Sequence, residues 1–253
     1  MEADPGSSPT IPTGPVAGAP APADPPPDSR PPWLRRRPSP LVVAGVASLA
    51  NGVALVLAIV SGLPLGGLLA IVWSIALVTI AAMAVVGGPR MRTTIVRTVT
   101  VGLVVGLVAT LAYDATKAVL SQLDPSPYNP FEVTRLFGIS LIGSAASPEA
   151  IAVVGWAFHL TNGATFTIAF AGIFGRSGRI GRWRGVATGI GLGLFLETFQ
   201  LILYPGWLNI GFLDEFRRIS FLSHLVFGAM LGFFVPAGLR WIDRRMAPNE
   251  TRT

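Results

Sequence analysis

Residues 65–87 read LGGLLAIVWSIALVTIAAMAVVG and contain no charged side chain. A helix rises about 1.5 Å per residue, so this stretch is long enough to cross a hydrocarbon core of about 30 Å. Five further stretches are comparably long and mostly apolar: 41–61, 98–118, 150–174, 185–204 and 219–241. In lipid, only helices and closed β-barrels satisfy the backbone hydrogen bonds, and these stretches lack the alternating hydrophobicity of barrel strands. The sequence therefore predicts an all-α integral membrane protein with a bundle of six transmembrane helices over 41–245.

The composition agrees with a lipid environment, because 51% of the residues are hydrophobic, 13% are charged and the mean hydropathy is +0.60. The net charge of +6 does not indicate nucleic acid binding, since the arginines flank the apolar stretches instead of forming one basic face. The chain has no cysteine, which excludes disulfides and thiolate metal ligands. One lysine, Lys117, accompanies eighteen arginines among abundant Ala, Gly and Pro. This bias indicates a high-GC bacterial genome.

The two ends of the chain are predicted to be cytoplasmic tails. Residues 1–40 contain 13 of the 22 prolines and few large apolar side chains, so they are predicted to be disordered. The Pro-Pro-Pro at 25–27 is read as part of a solvated spacer, with a polyproline ligand for a partner protein as the alternative. Residues 246–253 form the second tail.

The basic residues predict the orientation, since arginine is enriched in cytoplasmic loops. Every second boundary of the predicted spans is basic, through Arg35–Arg37, then Arg90, Arg92 and Arg97, then Arg176, Arg179, Arg182 and Arg184, then Arg240, Arg244 and Arg245. Both termini are therefore predicted to lie in the cytoplasm, and the protein in the bacterial cytoplasmic (inner) membrane.

The one long loop, 119–148, is predicted to lie outside and to hold a short helix over about 130–143. Asn129-Pro130-Phe131-Glu132 is typical of a helix start with a capping box. This helix is too short to span and is expected to lie on the outer surface. Arg135 follows Glu132 by one turn, which favours an ion pair, with contact to a phosphate as the alternative.

Four ionisable residues, Asp114, His159, Glu197 and His224, are predicted to share one depth. They lie 17, 17, 13 and 16 residues from the nearest cytoplasmic arginines, or roughly 20 to 25 Å along their helices. Ionisable groups in membrane helices usually face the bundle interior. Lys117, three residues after Asp114, predicts an intrahelical ion pair with that residue.

Two of the predicted helices share a pattern around their histidines. Residues 159–164 read HLTNGA and residues 224–229 read HLVFGA, and each helix follows one that carries an acid. This predicts two hairpins related by a pseudo-twofold axis, as in transporters with internal repeats. The glycine four residues after each histidine lets a neighbouring backbone approach, and Asn162 joins the face of His159.

The stretches HLTNG at 159–163, Leu196-Glu197 followed by YPGW at 204–207, and SHL at 223–225 followed by Gly228 carry a resemblance. Over about 110–241 the chain resembles uncharacterised multi-pass membrane proteins of bacteria. The resemblance implies that these positions form one unit and implies no activity.

These residues predict a polar pocket in the outer half of the membrane. Its expected ligand-binding residues are Asp114, His159, Asn162, Glu197 and His224, with Arg135 nearby. The expected ligand is an ion, a small polar solute or a lipid headgroup.

Three alternatives stay open. In the first, the imidazoles and carboxylates form hydrogen-bonded or proton-relay pairs. In the second, the same four side chains hold a divalent transition metal in an enzyme that acts on a lipid-linked substrate. In the third, the four residues form the gate of a proton-coupled transporter. Such a transporter would act as a homo-oligomer, because six helices are few for a monomeric carrier.

Overall fold

A computed structural model describes residues 40–175 and 181–246. The predicted tails, apart from Pro40 and Met246, lie outside these ranges, as do Arg176 and Arg179. The described residues form eight α-helices and no strand, which confirms the all-α prediction for this part of the chain. The helices are α1 (Pro40–Ala47), α2 (Ala50–Ser61), α3 (Leu65–Val86), α4 (Gly88–Leu123), α5 (Glu132–Ile142), α6 (Pro148–Ile173), α7 (Arg182–Leu208) and α8 (Leu213–Met246).

Five of these helices, α3, α4, α6, α7 and α8, are long and apolar enough to cross a membrane. The pair α1 and α2 meets the same criterion only when it is taken together, as one span bent by 46°. Several long helices of this kind are the pattern of a multi-pass membrane protein, in which the bilayer is the surrounding solvent.

The first predicted span is broken at Ser48, and local hydrogen bonds explain the bend. The Ser48 hydroxyl donates to the carbonyl oxygen of Ala44 at 2.8 Å, and its backbone N–H is shared between the carbonyls of Ala44 and Gly45. The next N–H, of Leu49, donates to Val46, three residues back. Such tightening and serine back-bonding bend helices.

Several helices extend beyond the apolar stretches that predicted them. α4 begins at Gly88 with Pro89 in its first turn, ten residues before the predicted start, so Arg90 and Arg92 lie on the helix and not in a loop. α8 begins at Leu213, with Asp214 and Glu215 in its first turn. Hydropathy identifies the part of a helix that lies in lipid. Capping, a proline in the first turn and acidic residues at the positive end of the helix dipole determine the residue at which the helix begins.

α7 does not end at residue 204, which is the last residue of the predicted span. The helix continues through Pro205 to Leu208 and is closed by Asn209 in the left-handed conformation (φ 48°). Asparagine tolerates this conformation better than most residues. Lipid disfavours an open backbone, and neighbouring helices commonly accommodate a proline within a transmembrane helix.

The start of α5 differs from the predicted capping box. The Asn129 side chain accepts a hydrogen bond from the backbone N–H of Phe131 at 3.0 Å, and the helix begins at Glu132. The Glu132 carboxylate accepts hydrogen bonds from Arg135 and not from the backbone of Asn129. α5 buries Val133 and Phe137 against the rest of the chain.

The helices pack in a row. α7 lies against α8, α8 against α4, and α4 against α6; α6 also carries α5, α1 and α2, and α3 packs on α2. Two glycines bring the long helices into close contact. A Cβ on Gly163 would collide with Thr110 of α4, and a Cβ on Gly228 of α8 with the backbone of Gly189 on α7. Each of the two pairs, α4 with α6 and α7 with α8, therefore holds its backbones close at the turn that carries a histidine.

Candidate functional site

The four ionisable residues lie at a common depth measured from the helix ends nearest α5. Asp114 is nine residues from the end of α4, and His159, Glu197 and His224 are each eleven residues from the corresponding ends of α6, α7 and α8. At about 1.5 Å per residue these positions are roughly 14 to 17 Å along the helices.

His159 and Asp114 form the first carboxylate–imidazole pair, between α6 and α4. His159 Nε2 lies 2.9 Å from Asp114 Oδ1 and 3.1 Å from Oδ2. An ionised carboxylate only accepts hydrogen bonds, so in this pairing Nε2 carries the proton. His159 Nδ1 makes no hydrogen bond with the described residues, and the ring lines a cavity.

His224 and Glu197 form the second pair, between α8 and α7. His224 Nδ1 lies 2.7 Å from Glu197 Oε2, and the same oxygen accepts a hydrogen bond from the Ser220 hydroxyl at 2.7 Å. The Gln200 amide donates to Ser220 at 2.6 Å and extends the network. Glu197 is only 2% exposed. The hydrogen bonds of His224 Nδ1 itself are with the Ser220 carbonyl oxygen at 3.1 Å and the Ser220 hydroxyl at 3.3 Å. A carbonyl oxygen only accepts, so Nδ1 carries the proton in His224 and Nε2 carries it in His159, and the two neutral rings are predicted to be opposite tautomers.

Tyr113 joins the two pairs. Its ring centroid is 5.9 Å from that of His159 and 4.9 Å from that of His224, with an edge-on arrangement in the second contact. The aromatic ring therefore fills the space between the imidazoles, and the four ionisable residues belong to one cluster instead of two isolated contacts.

A cavity of about 80 Å³ adjoins this cluster, and α2, α4, α5, α6, α7 and α8 all contribute to its wall. A water molecule needs roughly 10 to 15 Å³ of such space, so several water-sized groups fit. The polar residues of its wall are Thr110, Tyr113, Lys117, Thr134, His159, Asn162, Gln200, Tyr204 and His224. Asp114 and Glu197 are not part of the wall, so each carboxylate lies behind its imidazole as seen from the cavity.

Lys117 is placed differently from the sequence prediction, which paired it with Asp114. No carboxylate oxygen of the described residues lies within 4.0 Å of its ammonium group. Lys117 Nζ instead lies 5.3 Å from the centre of the Tyr113 ring and 5.7 Å from that of Phe131. Asp114 is turned across the helix contact to His159, which leaves the ammonium group to the aromatic faces and the cavity.

Asn162 and Arg135 have different positions relative to the cluster. Asn162 lines the cavity, and its Oδ1 is buried without a hydrogen-bond partner among the described residues. Arg135 is not part of the cavity wall; it pairs with Glu132 on the exposed side of α5, with Nη2 to Oε1 at 2.5 Å. The hydrogen bonds and charge of Glu132 raise the pKa of Arg135. The structure thus supports the ion-pair interpretation of Arg135.

Several residues of the cluster were missed at the sequence level: Tyr113, Gln200 and Ser220. Helical spacing contained a signal for two of them. Ser220 precedes His224 by four residues and Gln200 follows Glu197 by three, so each lies on the same helix face as its partner. Tyr113 is adjacent to Asp114 in sequence, and nothing in the sequence indicated that its ring would lie between two helices.

The described residues do not form a metal centre of the kind that the sequence left open. Within them, no group of three or more His, Asp or Glu side chains converges on one point. Instead, each carboxylate is already directed to one imidazole. Transition-metal sites in helical bundles usually require at least three such ligands, so the metal-dependent interpretation lacks a donor set in this part of the chain.

Comparisons with protein-family models, with curated protein sequences and with solved structures found no match for this chain. The resemblance to bacterial multi-pass membrane proteins therefore stays a prediction, and the function is argued from the geometry of the site.

Proposed function

We propose that the chain is a six-span protein of the bacterial inner membrane, in which α1 and α2 together form the first span and both termini are cytoplasmic. The arginines on the described helices support this orientation. Arg90 and Arg92 at the start of α4, Arg182 and Arg184 at the start of α7, and Arg240, Arg244 and Arg245 near the end of α8 all lie at the end of the bundle away from α5. The cluster then lies in the outer half of the membrane.

The cluster binds a small polar ligand that carries an acidic group. The ionisable residues of the cavity wall are one ammonium group, two imidazoles and two tyrosines, whereas both nearby carboxylates are turned away to the imidazoles. Lys117 is 4% exposed and has no carboxylate within 4.0 Å among the described residues. A buried charge is costly unless it is paired, so an anion next to Lys117 is favoured.

The observation that carries this proposal is the chemistry of three nitrogen atoms. Lys117 Nζ, His159 Nδ1 and His224 Nε2 make no hydrogen bond or ion pair with described residues, and their side chains line one cavity. Asp114 fixes the orientation and tautomer of His159, and Glu197 together with the Ser220 carbonyl does the same for His224, as supporting groups do in many binding sites. Phosphate and carboxylate oxygens are the acceptors that such nitrogens recognise.

Inorganic phosphate is a suitable first probe, with thermal unfolding of the purified protein in a neutral maltoside detergent as the readout. Phosphate is expected to raise the midpoint of unfolding of the parent, because a ligand that binds only the folded state stabilises it. Lys117→Met is expected to lose this rise and Lys117→Arg to keep it. Arg135→Gln removes an equal charge outside the cavity and is the matched control.

The proposal is wrong if phosphate fails to stabilise the parent, or if it stabilises Lys117→Met as much as Arg135→Gln. His224→Gln is a second, independent variant, because it removes a different nitrogen from the cavity. It is expected to weaken the response to phosphate while the unliganded protein still unfolds in one transition.

A further inference from the structure

Apolar layers close the cavity toward both ends of the helices. On the side of α5, the Phe137 ring packs against Phe158 and Tyr204, with centroids 4.9 and 5.7 Å apart. On the opposite side, Phe170 and Leu231 belong to a second buried cluster and are 2% and 0% exposed. A polar ligand that moved along the helix axes would have to displace one of these layers.

The side wall is less complete. The cavity is lined by Gly52 of α2, Phe166 of α6, and Leu196 and Phe199 of α7, and all four are only partly buried. Within the described part of the chain, α7 packs extensively against α8 alone. Nothing comparable joins α7 to α2, so the cavity opens sideways between them, and we refer to these four residues as the side opening.

The side opening faces the surface that contacts hydrocarbon. Phe195 and Ile202 on α7 are 63% and 71% exposed, and Val53 and Leu57 on α2 are also exposed. Apolar residues with this exposure on long apolar helices are lipid-facing. A molecule that reaches the cavity through the side opening therefore comes from the bilayer.

The two parts of this path have opposite chemistry. The inner part presents Lys117 and the two imidazoles, and the side opening presents aromatic and aliphatic side chains. The inner volume of about 80 Å³ suits a compact headgroup and not a long chain. One kind of molecule satisfies both parts, namely an amphiphile with a small acidic headgroup.

We propose that the ligand of this cavity is a membrane amphiphile with a single phosphate or carboxylate headgroup, which enters through the side opening between α2 and α7. The headgroup pairs with Lys117 and the imidazole nitrogens, while the hydrocarbon chain passes between Phe166 and Phe199 into the lipid. This inference rests on the proposed function, because it requires that the cavity bind an acidic group.

The test compares dodecyl phosphate with inorganic phosphate as stabilisers of the full chain in maltoside detergent. Dodecyl phosphate is expected to act at a concentration at least about tenfold lower. The side opening needs to bury only about 60 Å² of the hydrocarbon chain for a tenfold gain in affinity, at the usual value per unit of apolar area. Dodecylphosphocholine, with the same chain and a zwitterionic headgroup, is expected to have no such effect.

Two glycine variants test the route. A Cβ on Gly52 would lie 3.2 Å from the ring of Phe166, so the larger Gly52→Leu side chain narrows the side opening. A Cβ on Gly191, also in a spanning helix, would meet no atom within 4 Å, so Gly191→Leu is the matched control. Gly52→Leu is expected to lose the advantage of dodecyl phosphate, because the bound hydrocarbon chain occupies the side opening. It is expected to keep the response to inorganic phosphate, which contacts Lys117 and not the side opening, because the unfolding midpoint reports occupancy at equilibrium and not the route of entry. Gly191→Leu is expected to keep both.

The outcomes separate the two proposals. If neither phosphate compound stabilises the parent, the proposed function itself is wrong. If inorganic phosphate acts as strongly as dodecyl phosphate, the site binds a free solute and the amphiphile is wrong. If dodecyl phosphate stabilises Lys117→Met as well as the parent, its effect comes from the detergent phase, which also overturns the inference. Should Gly52→Leu fail to fold, the parent is tested with butyl, octyl and dodecyl phosphate instead. A side opening to lipid requires the affinity to rise with chain length, so equal affinities for the three compounds would overturn the inference.

Discussion

Gly106 tests whether the contact between α4 and α6 positions the first carboxylate–imidazole pair. In Gly106→Ala, the new Cβ would lie 2.7 Å from Ala164 Cα and 3.0 Å from Thr167 Cβ. Carbon atoms in contact are about 3.5 to 4.0 Å apart, so the helices must separate by about 1 Å. The same separation would lengthen the 2.9 Å contact of His159 with Asp114 to about 3.9 Å, beyond hydrogen-bonding distance.

Overpacking of this kind costs about 1 to 3 kcal/mol, which exceeds the roughly 0.5 to 1 kcal/mol that alanine gains over glycine in a helix. Gly106→Ala is therefore expected to lower the free energy of unfolding, measured by denaturant titration in detergent, and to weaken stabilisation by phosphate. The control is Gly191→Ala, whose Cβ meets nothing within 4 Å and which is expected to be neutral or slightly stabilising. Equal stability of the two variants would refute the packing argument.

Two further predictions concern the second pair and the loop between α4 and α5. In a double-mutant cycle of Glu197→Gln and His224→Gln, the two residues are expected to show a coupling energy of about 1 kcal/mol, as buried polar side chains in direct contact do; additive effects would contradict the 2.7 Å contact. The Ser126 side chain and its backbone N–H, which donates to the carboxylate at 3.0 Å, lower the pKa of Asp124, followed by the charge of Arg218. The carboxylate therefore contributes stability above a pH of about 4 that is lost as the pH falls through the lower folded value. Asp124→Asn is therefore expected to destabilise the protein at neutral pH and to flatten the loss of stability in acid, and an unchanged acid profile would be the contrary result.

The membrane helices could be read from the sequence because lipid imposes a simple requirement on length and hydropathy. Residues 65–87 meet it without exception, and α3 covers Leu65–Val86. The helix ends could not be read in the same way, because they depend on local features. Pro205 directly follows the end of a predicted span but lies inside α7, and Ser48 lies within a predicted span although its hydrogen bond to Ala44 divides α1 from α2.

The candidate site divides in a similar way. The spacing of the histidines and acids along their helices indicated a common level, and the i+4 glycines indicated close backbones. The partner of each side chain could not be predicted, because rotation of a helix by a few tens of degrees changes which side chains come into contact. Lys117 was expected to pair with Asp114 on its own helix, yet Asp114 contacts His159 across the gap.

The account depends most on the two imidazoles being held by carboxylates at one nitrogen and facing the cavity with the other. The chain contains only two histidines, so a protein labelled with ¹⁵N-histidine gives four ring-nitrogen signals, two from each imidazole, and His159→Gln assigns them to the two residues. The neutral rings are predicted to be opposite tautomers, with the proton on Nε2 of His159 and on Nδ1 of His224, and inorganic phosphate is predicted to shift the remaining nitrogen of each ring. Identical tautomers in the two rings, or spectra that phosphate leaves unchanged, would contradict this account of the site.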